Sequence, residues 1–115
     1  MITDKLSTFA NGLALGTAAP GTAAIGDVID LGTDAFRDIG NGTPLFLVIS
    51  MATAATSGGS AVGSFELCSD SVSALSSPTV HFTTTPTAVA DMTEGAVLGI
   101  IALPLEGVAY ERYLG

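Results

Sequence analysis

Apolar residues in this chain gather in short runs separated by Gly, Pro, Ser, Thr and Asn, which is the pattern of a protein built from strands. Residues 45–51, LFLVISM, form a continuous apolar run introduced by Pro44, which reads as a strand buried on both faces. Residues 96–103, AVLGIIAL, read as a second core strand that Gly99 weakens or bends, and residues 104–107 turn the chain into a last strand over 108–114. In residues 79–84, TVHFTT, Val80 and Phe82 alternate with Thr and His81, so this strand is half-buried and Pro86 closes it or marks it as an edge. Residues 23–31 predict a strand with an irregularity at Gly26, and residues 61–69 another, carrying Val62, Phe65, Leu67 and Cys68. Between these last two elements and their neighbours lie a small-residue loop, TAATSGGS at 53–60, and a Ser69-Asp70 pair suited to start one helical turn ending near Ser76-Ser77-Pro78.

Six or so short strands without repeats or heptads predict an all-β fold, a jelly-roll-like antiparallel β-sandwich over residues 22–115. Residues 1–21 lack either period and are crowded with Gly, Ala, Thr and Pro20, which predicts an extended N-terminal arm. At 115 residues there is room for one core and no second domain.

Charge narrows the range of partners. Only 12% of residues are charged, against about 25% in ordinary soluble domains, and the mean hydropathy is +0.59. A surface this poor in charge suits a protein whose faces are covered by partners. Eleven acids against three bases give a net charge of −8, which points away from nucleic acid, where affinity comes from Lys and Arg on phosphates. The apolar runs are far shorter than the roughly 20 residues of a membrane-spanning helix, so no membrane partner is expected. Residues 6–19 make a poor secretory signal, because Lys5 stands beside Asp4 and Gly12 and Gly16 interrupt the apolar stretch. Cys68 alone permits no internal disulfide and reads as a small buried apolar side chain.

No chemistry-bearing constellation follows from the residues. Asp27, Asp30, Asp34 and Asp38 do not have the spacing of a Ca²⁺ loop, so solvated or turn acids are expected and no metal or cofactor. The single histidine, His81, has no nucleophile elbow to serve and reads as a surface or interface residue, so no catalytic residue is assigned. Asn41-Gly42-Thr43 reads as a turn. The two arginines, two of only three bases, each stand beside an acid, Arg37-Asp38 and Glu111-Arg112. These four residues are the candidates for structural ion pairs or an interface, either partly buried and bidentate or as exposed rim charges.

Five segments in order, VIDLG at 28–32, RDIG at 37–40, the Pro-led strand at 44–49, LSSPT at 75–79 and ERYL at 111–114, give the chain a resemblance to the jelly-roll cement, or decoration, proteins of short-tailed phage heads. The resemblance implies a structural virion protein, made in the host cytoplasm and carried on the outer surface of the capsid. It implies assembly as a homo-dimer or homo-trimer and binding to several subunits of the major capsid protein. In similar proteins the chain runs on past the Tyr-Leu pair into another strand, whereas here it reaches Gly115; either the sequence is shortened or a neighbour's arm supplies that strand by β-augmentation. The alternative is a tail or baseplate β-module that binds a protein or glycan. An enzyme ranks behind both.

Overall fold

The computed structural model describes residues 8–14, 21–33, 45–103 and 109–115. These form an all-β, antiparallel structure with no α-helix among the described residues. The strands are β1 (Ile29–Asp30), β2 (Leu45–Ser50), β3 (Val62–Gly63), β4 (Glu66–Asp70), β5 (Thr79–Thr83), β6 (Thr87–Ala88), β7 (Val97–Leu103) and β8 (Tyr113–Leu114). They pair as one four-stranded sheet in the order β1-β8-β4-β5 and as two ribbons, β2-β7 and β3-β6.

The four-stranded sheet is knitted by the last residues of the chain. Ile29 pairs with Leu114 and Asp30 with Tyr113 on one side of β8, while Ser69 and Asp70 pair with Leu114 and Tyr113 on the other. Gly115 continues the ladder through a reciprocal pair of backbone hydrogen bonds with Cys68, of 2.9 and 2.8 Å. Leu114, Leu67 and Tyr110 form the buried cluster, with Phe9, Ile29, Leu31, Leu47, Phe82 and Leu103 packed around it. Each ribbon has a glycine at a point of close approach. A Cβ on Gly99 of β7 would meet the Thr84 methyl at 3.2 Å, and one on Gly63 of β3 would meet buried Met92 at 3.1 Å, so each glycine allows a close approach that a side chain would obstruct.

Several expectations are corrected. Residues 45–51 are not a strand buried on both faces, because Leu45, Phe46 and Ser50 are exposed. Sequence alone does not distinguish an apolar run covered by its own protein from one left outside. No helix follows Asp70; the chain makes a single turn there, with the Leu75 amide donating to the Val72 carbonyl at 3.2 Å. Asp70 Oδ1 accepts the amide of Val72 (3.2 Å) and its Oδ2 that of Ser77 (2.9 Å), so it folds the 71–77 loop back on itself instead of starting a helix. Leu75 in that loop has a positive φ of 47°, a geometry that terminates helical progression. In residues 23–31 only Ile29 and Asp30 are strand. Gly26, at φ +76°, breaks the rest, and the Asp27 amide donates to the Phe9 carbonyl at 2.7 Å. Within the segment expected as an arm, Phe9 thus lies against the core.

Leu114 is 0% exposed, so Leu114→Ala is expected to lower unfolding free energy by about 2–5 kcal/mol. Ile100→Ala, on an exposed ribbon position, is expected to change it by less than about 0.5 kcal/mol. Urea unfolding of the two variants checks both.

Candidate functional site

The β2-β7 ribbon has two unlike faces. Strand alternation and the register Phe46↔Ala102, Val48↔Ile100 put these four side chains on one face. Leu47 and Leu103 lie on the other, against the core. On the outer face Phe46 is 61% and Ile100 64% exposed. Ala102 is exposed too, and Val97 extends the patch beyond the irregularity between Ile49 and Ser50. Neither strand contains a charged residue. Scattered single apolar residues on a surface are ordinary, whereas this is a contiguous, uncharged apolar face. An apolar groove of about 130 Å³ lies between the ribbon, at Leu45, Phe46, Leu47 and Leu103, and Phe9, Ile29 and Leu114.

Polar side chains converge on the C-terminal segment. Arg112 binds Asp30 of β1 with Nε to Oδ1 at 2.9 Å and Nη2 to Oδ2 at 2.8 Å, a bidentate pair. Its Cζ also lies 5.0 Å from the centre of the Tyr113 ring. The bond to Asp30 raises the Arg112 pKa further above its usual range. Asp30 Oδ1 additionally accepts the Gly32 amide at 2.8 Å, so the acid that sequence reading left as solvated or turn-forming is both a turn acceptor and an ion-pair partner.

Glu111 does not partner its neighbour Arg112. Its Oε1 accepts the Thr79 hydroxyl of β5 at 2.9 Å, while its amide donates to Ser69 Oγ at 3.0 Å. Adjacent residues of an extended chain point opposite ways, so Glu111 ties the segment toward β4 and β5 while Arg112 ties it toward β1. Arg37 and Asp38 lie outside the described residues, as do Asp34 and the Asn41-Gly42-Thr43 turn.

One arrangement escaped sequence reading. Ser69 Oγ and His81 Nε2 are 2.6 Å apart, and the His81 ring meets Tyr110 edge-on at 5.1 Å between centroids. His81 stands where the β4-β5 register shifts between Leu67 and Cys68, and such an irregularity re-aims a side chain. It is half-buried against Ser69. Burial lowers the His81 pKa, with the Glu111 carboxylate pulling the other way. A Ser–His contact is the geometry of an activated nucleophile, but Ser69 is 0% exposed, and no substrate reaches a hydroxyl enclosed in this way. The pair positions the C-terminal segment. Cys68 is also buried, and burial, followed by the charge of Glu66, raises its thiol pKa, which disfavours the reactive thiolate. Among the described residues, no three His, Cys, Asp or Glu side chains gather as a metal site.

Residues 13–115 match the Bbp16 family model. The chain belongs to the Bbp16 family. No curated protein and no solved structure matches it. The Bbp16 match covers the ribbon, the Ser69–His81 pair and the whole C-terminal segment, so both surfaces described above fall within the family region.

Two outcomes are expected of the polar side. In a double-mutant cycle, Asp30 and Arg112 couple favourably in dilute buffer, and the coupling shrinks in molar salt, where the Debye length is about 3 Å. Asp70 has its pKa held below the ordinary 3.8, chiefly by the Ser77 amide and also by those of Val72 and Ser71. It therefore contributes stability that is present above that value and lost as pH falls below it. Urea unfolding across pH should show Asp70→Asn less stable than the parent at neutral pH and with a flatter acid limb.

Proposed function

We propose that this chain is a structural virion protein: a jelly-roll-like antiparallel β-sandwich that binds the outer surface of a shell of major capsid protein and stabilises the head. In this reading it has no catalytic role and no cofactor. The observation that carries it is the exposed, uncharged outer face of the β2-β7 ribbon, on Phe46, Val48, Ile100 and Ala102. The phage-cement resemblance of five segments supports it, as does a net charge of −8 that suits a basic protein surface better than nucleic acid.

A ribbon of about six residues by two strands spans roughly 20 by 10 Å, or about 200 Å², well short of the roughly 800 Å² per partner of a stable interface. One subunit would hold weakly. A homo-dimer or homo-trimer that engages several capsid subunits gains avidity by factors of about 10²–10⁴ without a new kind of contact.

Heads stripped of the protein and heads rebuilt with it provide the test. Stripped heads are expected to release DNA at a lower temperature, and rebinding of the parent protein to restore them. Phe46→Glu and Ile100→Glu are expected to weaken rebinding by about thirtyfold or more, the cost of losing one central apolar anchor, while leaving the urea midpoint of the free protein within error. Equal failure temperatures for stripped and complete heads would rule the reading out.

A further inference from the structure

The Ser69 hydroxyl has two partners of different kinds. The Glu111 amide donates to it at 3.0 Å, which leaves His81 Nε2, at 2.6 Å, as the acceptor within reach of the hydroxyl hydrogen. That second bond needs a lone pair on Nε2, and therefore a neutral imidazole. When the ring takes a proton from solvent, Nε2 becomes a donor. Ser69 Oγ would then face two donors while its own hydrogen lost its acceptor, in a site with 0% exposure. An enclosed hydroxyl hydrogen left without an acceptor is penalised, which favours opening one of the contacts.

We propose that Ser69, His81 and the Glu111 amide form a proton-operated latch, in which neutral His81 holds residues 109–115 in the sheet and protonated His81 releases them. The inference stands apart from the capsid reading. The groups around the imidazole give the latch its direction. From β4 come Ser69 and, further along the strand, Glu66 and Cys68; from β5 itself come Thr79 and Thr83; from the C-terminal segment come the Tyr110 ring and the Glu111 carboxylate. Asp70 is engaged by Val72 and Ser77, and Arg112 by Asp30. The charge that acts on His81 is thus the Glu111 carboxylate. An imidazolium would be drawn toward that carboxylate, away from Ser69 and in competition with the Thr79 hydroxyl that now binds it. Two of the ties that hold the segment to β4 and β5 would change together.

The sign follows from burial. His81 in the folded protein titrates below the ordinary 6.5, because burial outweighs the attraction of Glu111. Its neutral form therefore contributes stability that is present above the unfolded value and is lost as pH falls toward and through the folded value. Asp70 responds only below its own ordinary 3.8, so the two acid responses occupy separate windows.

The experiment uses the full chain, in which His81 is the sole histidine and gives one ring signal by NMR. Its titration is followed between about pH 8 and 5, together with amide exchange protection corrected for intrinsic rates. The expected result is a midpoint below 6.5 with protection at Glu111 and Gly115 falling through the same step, by up to tenfold for each full unit by which the measured midpoint lies below that value. Protection at Met51 and Gly95, in the turn joined to the β2-β7 ribbon, should hold constant. His81→Gln keeps an acceptor but takes up no proton, so its Glu111 and Gly115 amides should remain protected throughout. If that variant does not fold, the parent's own titration decides. A midpoint at or above 6.5, or Glu111 protection that stays flat while His81 titrates, overturns the latch.

Discussion

The structure depends on a two-residue strand. Tyr113 and Leu114 sit between β1 and β4, and without them these strands, which come from distant parts of the chain, share no ladder. Ladder bonds over two residues are too few to offset the entropy of closing a loop as long as the one between Asp30 and Arg112. Side chains make up the difference. Leu114 is fully enclosed beside Leu67 and Tyr110, Arg112 grips Asp30 on one flank, and Glu111 reaches Thr79 and Ser69 on the other. The same few residues close the sheet, complete the core and reach Ser69, the partner of His81.

Concentrating burial at this seam leaves little to cover the ribbon. The fully buried apolar residues among those described are few, and the outer face of β2-β7 retains Phe46 and Ile100 in solvent. An exposed apolar face is a liability in a free monomer and an asset in a protein that spends its life against another surface. The low content of charged residues fits that division: the polar work is done by individually placed groups such as Asp30, Asp70 and Glu111, each with a named partner.

Strand-forming segments were legible because apolar and β-branched runs bounded by Gly and Pro carry a local signal. Residues 45–51, 79–84 and 96–103 all contain strands within a residue or so of their expected limits. Strand lengths in residues 23–31 and 108–114 were not legible, because pairing partners set them: Ile29 and Asp30 are strand only where Tyr113 and Leu114 lie beside them. Of the candidate ion-pair residues, Arg112 and Glu111 were singled out by the scarcity of charge, but their partners Asp30 and Thr79 lie far away in sequence and no local pattern names them. The Ser69–His81 contact left no trace in the sequence, since it arises from a register shift between β4 and β5. The helical turn expected after Asp70 is instead a single hydrogen-bonded turn within a loop, for a related reason. An Asp followed by Ser and Val caps a helix or a loop equally well, and here the contact with Ser77 chose the loop.

A protein that stabilises a shell differs from one that decorates a tail in how many copies a particle carries, because a shell repeats its binding site over every capsomer and a tail does not. The most direct measurement of the central claim is therefore the copy number of this chain relative to the major capsid protein in purified virions, by quantitative mass spectrometry with isotope-labelled standards. The account predicts a fixed ratio to the major capsid protein, on the order of hundreds of copies per particle for a symmetric shell. A count of a handful per particle, or absence from intact virions, would contradict it.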